Sequence, residues 1–170
     1  MFKNSNFDEH QYEIYDFLRD MIIDEIPKVH PVRILEIGCG CGHMSKSLAQ
    51  KFVNSKIVSV EIVAEYVKLA RKYYSNYSNI QFGCKNYKDL SSKFDLIVLF
   101  LSFSELLKKD KLNTVVEKLY SLCNENASIV IVDEFRNDYT NELKLTYQIN
   151  KLIGYKYQNT RSVIKSFKKY

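Results

Sequence analysis

Arg33-Ile34-Leu35-Glu36-Ile37-Gly38-Cys39-Gly40-Cys41-Gly42-His43 is the stretch that decides the fold. A mostly apolar run carries one carboxylate, and glycine then occupies every second position. The apolar run predicts a buried strand, and a helix is expected to begin near His43. Glycine tolerates a positive φ and has no Cβ, so this loop can turn sharply and bring main-chain N–H groups close to a ligand. The stretch therefore predicts a strand, a ligand-binding loop and a helix.

The glycine spacing differs from that of a dinucleotide-binding loop. Such a loop requires G-x-G-x-x-G, in which the third glycine lets the helix pack on the strand and its N-terminus face a pyrophosphate. His43 stands at the position of that third glycine. The spacing therefore argues against a nicotinamide dinucleotide, and the pattern that remains is E-x-G-x-G-x-G, from Glu36 to Gly42.

This pattern resembles motif I of the class I S-adenosylmethionine (SAM) dependent methyltransferases. In that family the loop lies under the amino-acid part of SAM, and the acid before it helps to hold the cofactor. The resemblance implies that SAM is the cofactor and that it is bound by Glu36, Gly38, Cys39, Gly40 and Gly42. The alternative is a glycine-rich turn between strand and helix that binds no ligand.

The composition is that of a single globular domain. The 170 residues are 46% hydrophobic and 26% charged, and no segment approaches the roughly 18 apolar residues that a membrane span requires. We expect one methyltransferase domain, with an N-terminal helical segment at 1–31 and a Rossmann-like core at 32–170. The N-terminus has no apolar signal region, so we expect a cytoplasmic protein without a membrane partner.

The four cysteines form no C-x-x-C pair, which argues against a disulfide framework. Cys39, Cys41 and His43 form a C-x-C-x-H pattern that offers three zinc ligands in a row. No second pair of ligands is spaced to close a tetrahedral site, so we expect no metal here.

Strands and helices are predicted to alternate after an amphipathic helix at Asp8–Ile26. Strands are expected at Val32–Ile37, Ile57–Glu61, Ile80–Phe82, Phe94–Leu99 and Ser128–Val132, and helices at His43–Phe52, Ala64–Tyr74, Leu112–Leu122 and Asn141–Ile153. Apolar strands separated by helices predict a doubly wound α/β fold with helices on both faces. Tyr155–Gln158 and Val163–Phe167 have room for two more strands. The expected sheet is therefore mostly parallel and seven-stranded, with a C-terminal antiparallel hairpin.

Glu61 is a second candidate for the ligand site, because it ends the second predicted strand. Ligands of open parallel sheets lie at the carboxyl ends of the strands, and a ribose-binding carboxylate stands roughly 20 residues after the glycine loop. The resemblance implies that Glu61, followed by Ile62, holds the ribose of SAM. The alternative is that Glu61 is an acid at a helix N-terminus, where it interacts favourably with the helix dipole.

Three further contacts to SAM are implied by the resemblance. Asn86 matches the position of an acid that accepts from the adenine amino group, and its amide oxygen can also accept. Tyr87 beside it can cover the adenine ring. Glu13-Ile14-Tyr15-Asp16 resembles the segment with which many members cover SAM and its methyl group, so Tyr15 is a candidate contact. Each residue can instead be an ordinary loop or core residue.

No catalytic residue is predicted. Methyl transfer from a sulfonium is an in-line displacement driven by the cofactor, so the protein mainly positions the reactants and excludes water. Phe100–Glu105 lacks the Asn/Asp-Pro-Pro-Tyr/Phe motif associated with planar amide or amino nitrogens, and it has no Pro-Cys pair for attack on pyrimidines. The possible acids or bases are His10, Glu105, Asp133 and Glu134, although a solvated loop charge is the favoured interpretation of each.

The expected reaction is methyl transfer from SAM to an acceptor, with a small molecule preferred because no RNA-binding module is appended. An RNA or protein acceptor stays open because the last stretch is basic, with Lys151, Lys156, Arg161, Lys165, Lys168 and Lys169. The methyl group needs a cover, which the acceptor, an N-terminal segment or the second subunit of a homodimer can supply. The rival functions are an aminopropyl transferase, and a SAM-binding partner subunit without catalytic activity.

Overall fold

The computed structural model describes residues 19–24, 26 and 30–133. Residues 19–24 are helical and are named α1. The strands that follow are β1 (Arg33–Ile37), β2 (Lys56–Glu61), β3 (Ile80–Cys84), β4 (Phe94–Phe100) and β5 (Cys123–Val132). The helices are α2 (His43–Lys51), α3 (Ala64–Tyr73), α4 (Phe103–Leu107) and α5 (Leu112–Ser121), with a 3-10 turn at Tyr87–Asp89. The described residues contain no helix long and apolar enough to cross a membrane.

The strands form one sheet in the order β3-β2-β1-β4-β5, and every neighbouring pair is parallel. The chain moves outward from β1 through β2 to β3 and then returns to the other side of β1. The order therefore reverses between β1 and β4, and such a reversal is where open α/β sheets bind ligands. Because Ile37 lies in register with Val60, the carboxyl ends of β1 and β2 meet at the same edge of the sheet.

The sheet is covered by helices on both faces, as the apolar strands predict. Ile34 packs in a cluster with Leu48 of α2, whereas its neighbour Leu35 packs in the opposite cluster with Leu119 of α5. Successive residues of a strand point to opposite faces, so a strand between two helical layers must be apolar on both. Ile22 and Ile26 join the cluster of α2, which brings the N-terminal segment next to that helix.

The expected seven-stranded sheet with an antiparallel hairpin was wrong. The described residues supply five strands, and all of their pairings are parallel. The count of seven depended on two strands after residue 154; these, like the helix expected at Asn141–Ile153, lie outside the described residues. The α/β class with parallel β1 to β5 is confirmed.

The beginning of β5 was also predicted too late. The strand starts at Cys123 rather than Ser128, and its first residues are mostly polar. Asn124 donates to Asp95 Oδ1 at 2.6 Å, and a register shift accompanies the positive φ of 61° at Asn126. A bulge of this kind adds residues to one strand without the apolar alternation that predicts strands.

Candidate cofactor-binding site

The glycine loop leaves β1 and is fixed to the end of β2 by its own main chain. Gly38 N–H and Cys39 N–H both donate to the carbonyl of Val60, at 2.8 and 3.1 Å. Gly42 N–H then donates to Cys39 O at 2.8 Å, and α2 begins at the next residue. The loop is therefore a defined turn at the reversal point of the sheet.

Two of the glycines are needed for different reasons. Gly38 has a φ of 77°, and a Cβ at this position would lie 2.5 Å from Ser102 Cβ, so the residue must be small because the segment after β4 lies directly behind it. Gly40 has a φ of 50°, but a Cβ there would meet nothing within 4 Å. Gly38 is thus a packing requirement, whereas Gly40 presents bare main chain to open space.

Glu61 joins the loop to the end of β2. Its Oε2 accepts from Gly40 N–H at 3.1 Å, and its Oε1 accepts from the N–H groups of Ile62 and Val63 at 2.7 and 3.1 Å. The side chain is half-buried and lies beside the exposed face of Gly40. A carboxylate has about four acceptor sites, so Glu61 retains capacity for a ligand hydroxyl.

Glu36 lies beneath the loop and is buried, with a side chain 1% exposed. Its Oε2 accepts from Ser59 Oγ at 2.8 Å and also from Ser45 Oγ of α2. Burial raises the pKa of Glu36 to about 7; the two serine hydrogen bonds oppose this change, and the charge of Glu61 adds to it. The carboxyl of Glu36 thus holds together β1, β2 and α2 under the loop.

The raised pKa of Glu36 predicts that the protein loses stability as the pH rises from 5 to 8. The native state keeps a proton that the unfolded chain releases near 4.5, so the free energy of unfolding falls until the pH passes the native pKa of about 7. The difference between these pKa values corresponds to roughly 3 kcal/mol. We expect the free energy of unfolding of Glu36→Gln, measured in urea, not to fall in this way between pH 5 and pH 8. An equal fall in the variant and in the unchanged protein would contradict the role of Glu36.

The opposite wall of the crevice follows β4. Ser102 is buried, and its Oγ donates to Ile37 O at 2.6 Å, directly below the glycine loop. Leu101 has a φ of 53°, which is uncommon for a residue with a side chain, and its N–H donates to Val132 O. Ser104 N–H donates to Asp133 Oδ2 at 2.8 Å. These contacts hold the segment from Leu101 to Ser104 rigidly against the ends of β1 and β5.

The structure places Asn86 and Tyr87 in local roles. Asn86 is exposed, and its Oδ1 accepts from Lys88 N–H at 3.0 Å, which caps the 3-10 turn. Tyr87 is 4% exposed and packs in the core, and its hydroxyl donates to Asp110. Desolvation and the bond to Asp110 raise the pKa of Tyr87. Its buried ring offers no open face to a ligand.

The edge beside Glu61 exposes apolar side chains. Ile62 is 52% exposed and Tyr66 is 45% exposed, whereas large apolar residues are usually buried. Ile62 therefore stands at the crevice as an apolar surface next to the carboxylate. Tyr15, His10 and Glu134 lie outside the described residues.

Two of the remaining candidate acids lie within the described residues. Glu105 is exposed and pairs with Lys108, which directly follows the same short helix. Asp133 is 3% exposed and fixes the start of that helix through Ser104. Glu105 is therefore turned to solvent, and Asp133 has a structural partner.

The three residues of the C-x-C-x-H pattern have separate surroundings. Cys39 is buried and its thiol lies 3.7 Å from Gly40 O, while His43 Nδ1 is 3.0 Å from the Tyr74 hydroxyl. Burial raises the pKa of Cys39, which disfavours the thiolate that binds metals. No group of three or more potential metal ligands occurs among the residues with described positions.

Three serines that matter to the site were missed in the sequence. Ser59 lies in register with Glu36, Ser45 faces it from α2, and Ser102 supports the loop. Ser59 is the one polar residue between the apolar residues of β2, and such an interruption was a signal that a buried partner exists. The positions of Ser45 and Ser102 depend on helix packing and could not be predicted from the chain.

The crevice fits SAM on observations of this structure. Gly40 leaves an open approach to bare main chain, Glu61 offers a carboxylate beside it, and Ile62 adds an apolar surface. The open main chain suits the amino-acid part of SAM, the carboxylate suits its ribose hydroxyls, and the apolar surface suits its adenine ring. The feature that a dinucleotide needs, a third glycine at the helix start, is absent because His43 stands there.

Comparison with known proteins agrees with this site. Residues 34–126, more than half of the chain, match the family described as a methyltransferase domain. A malonyl-[acyl-carrier protein] O-methyltransferase of Priestia megaterium is 29% identical over 118 residues, which are 68% of this chain and 41% of that protein. A release factor glutamine methyltransferase of Lactococcus lactis is 30% identical over 144 residues, 82% of this chain and 53% of that protein.

A solved structure shares the fold. The plantazolicin methyltransferase BpumL, in complex with a monoazolic desmethyl analogue and S-adenosylhomocysteine (SAH), superposes with a TM-score of 0.62 at 23% identity, over 74% of this chain and 51% of that chain. The chain spans about half or less of the length of these relatives. The matched domain, on a parallel sheet with the E-x-G-x-G-x-G loop, shows that this chain belongs to the class I SAM-dependent methyltransferases.

Proposed function

We propose that this chain binds SAM at the carboxyl edge of the sheet, over the open face of Gly40 and beside Glu61, and transfers its methyl group to a small-molecule acceptor. The observation that carries the proposal is Gly40, whose main chain is open to the crevice and held in place by a carboxylate. The family match supports the same reaction.

The residues of the chain have separate tasks in this proposal. When bound, SAM supplies an activated methyl group on a sulfonium. Glu61 accepts from the ribose hydroxyls while it keeps Gly40 in position, and Ile62 packs against the adenine. Glu36 lies beneath the loop, and its hydrogen bonds with Ser45 and Ser59 hold the end of β1 against α2 and β2.

Positioning is the main catalytic contribution of this site. The segment after β4 is pinned by Ser102 and Asp133, so the wall that faces the methyl group is rigid before the acceptor arrives. A rigid wall reduces the entropy that must be lost to reach the in-line geometry. No side chain of the described residues is assigned as a general base.

The small-molecule acceptor is inferred from the neutral wall of the crevice. Residues 100–104, Phe-Leu-Ser-Phe-Ser, carry no charge and lack the motif associated with planar amide nitrogens. This composition argues against a glutamine side chain, the target named for the Lactococcus lactis relative. It is compatible with an oxygen acceptor; the Priestia megaterium relative is named for such an acceptor, in that protein a malonyl group on an acyl-carrier protein.

Transfer of label from SAM tests the proposed reaction. The full chain is incubated with methyl-labelled SAM and cell extract separated into small molecules, RNA and protein. We expect label in the small-molecule fraction. Label in RNA, with binding that weakens steeply as salt rises, would replace this acceptor by a nucleic acid. Binding of SAM without label in any fraction would indicate a subunit without catalytic activity.

Glu61→Ala is expected to weaken SAM binding by about 10- to 100-fold, because a charged hydrogen-bond partner of the ribose is lost. Isothermal titration calorimetry measures the dissociation constant. The matched control is Glu65→Ala, which removes an exposed acid from the first turn of α3, four residues after Glu61. Equal affinities for the two variants would remove the ribose role of Glu61.

A further inference from the structure

A groove lies at the amino ends of β1, β2 and β3, at the edge of the sheet opposite the glycine loop. Its volume is about 400 Å³, within the range of small-molecule sites. Its lining combines two cations, an apolar surface and two side-chain amides: Arg33, Lys56, Val58, Ile80, Asn79 and Gln81. Nothing in the proposed reaction uses this groove.

The two cations of the groove are direct neighbours on adjacent strands. Arg33 lies in register with Lys56, so their side chains leave the sheet on the same face. Like charges that face each other across neighbouring strands destabilise a sheet. The sequence therefore places a repulsive pair at the beginning of β1 and β2.

No carboxylate of the described residues forms an ion pair with either cation. Asp95 interacts electrostatically with Arg33, but its carboxylate oxygens form no ion pair with the Arg33 guanidinium. Oδ2 accepts from the N–H groups of Val32 and Arg33, and Oδ1 accepts from Asn124. The guanidinium of Arg33 instead lies 5.1 Å from the ring centre of Phe94. The positive charge of the pair is thus open to an anion.

We propose that this groove binds a phosphate monoester, with its phosphoryl group between Arg33 and Lys56. A phosphate monoester carries close to two negative charges at neutral pH, which match the two cations. Arginine binds phosphate oxygens through its fork of donors, and lysine adds a point charge. The groove is larger than a phosphate ion, and the ester body packs on Val58, which leaves the sheet on the same face as Lys56, within reach of the Gln81 amide.

Nuclear magnetic resonance of the ¹⁵N-labelled full chain tests the proposal with three probes: phenyl phosphate, inorganic phosphate and phenol. We expect phenyl phosphate to shift the amide signals of Lys56, Val58 and Gln81 saturably. Inorganic phosphate should bind the same residues more weakly, and phenol should leave them unchanged. The double variant Arg33→Gln/Lys56→Gln should lose at least about tenfold in affinity for phenyl phosphate.

The matched control is Lys68→Gln/Lys72→Gln, which removes the same charge from exposed positions of α3 outside the groove. It should bind phenyl phosphate like the unchanged protein, and both double variants should keep their SAM affinity. Three results would overturn the proposal: no saturable shift with phenyl phosphate, equal affinity in the two double variants, or shifts confined to Gly40 and Ile62 at the cofactor site. Equal affinity for inorganic phosphate would overturn the ester in favour of the free ion.

Discussion

Gly40→Asn is expected to lower the affinity for SAM by at least about 100-fold while the domain still folds. A side chain at this position meets nothing of the protein within 4 Å, so it projects into the space that the ligand needs. Asparagine tolerates the left-handed conformation better than other residues with a side chain, and the φ of 50° therefore costs at most about 1 kcal/mol.

A graded series separates obstruction from unfolding. Gly40→Ala adds one carbon and should weaken SAM binding less than Gly40→Asn, although alanine tolerates the left-handed conformation less well than asparagine. Calorimetric titration gives the affinities, and thermal unfolding followed by circular dichroism gives the stabilities. Undiminished SAM affinity in Gly40→Asn would show that the open face of the loop is not the binding surface.

Gly38→Ala is expected to reduce the free energy of unfolding by about 3 kcal/mol or more. The added Cβ would lie 2.5 Å from Ser102 Cβ, and the φ of 77° is unfavourable for alanine. Overpacking contributes about 1–3 kcal/mol and the left-handed conformation about 1–2 kcal/mol. The effect is measured by urea unfolding, in contrast to the binding effect expected at Gly40.

Two further variants test whether the contact with Ser102 causes the loss of stability in Gly38→Ala. Ser102→Gly removes the clashing atom, so the double variant Gly38→Ala/Ser102→Gly should lose less stability than the sum of the single changes. Gly83→Ala is the control, because its Cβ would meet its nearest neighbour, Val60, at an ordinary 3.7 Å. Additive losses in the double variant would contradict a direct contact between Gly38 and Ser102.

The strand, loop and helix around Gly40 could be predicted because they depend on local chemistry. The apolar run gives a buried strand, and alternating glycines give a turn whose main chain is accessible. The place of Glu61 followed from the rule that parallel strands end at one edge. These features need no knowledge of which side chains pack together.

The features that could not be read from the sequence depend on contacts between distant residues. From the sequence Tyr87 is a loop aromatic, but its ring packs in the core, and its hydroxyl is satisfied by Asp110, 23 positions later. The polar start of β5 is held by Asp95 across the sheet, which apolar patterning does not show. Glu36 stays a predicted ligand contact, and its hydrogen bonds with Ser45 and Ser59 add a buried supporting role that the sequence does not show.

The strand count shows a different limit. Tyr155–Gln158 and Val163–Phe167 had room for two more strands, but room for a strand does not specify its partner. The five strands of the described sheet are each defined by neighbours on β1, β2 or β4. Patterns predicted this parallel core better than its edges.

The most direct test of the SAM site is a crystal structure of the full chain grown with SAH. We expect SAH at the carboxyl ends of β1 and β2, with its ribose at Glu61 and its amino-acid part over Gly40. An empty crevice at saturating SAH, or SAH bound at any other edge of the sheet, would contradict the assignment of this crevice as the cofactor site.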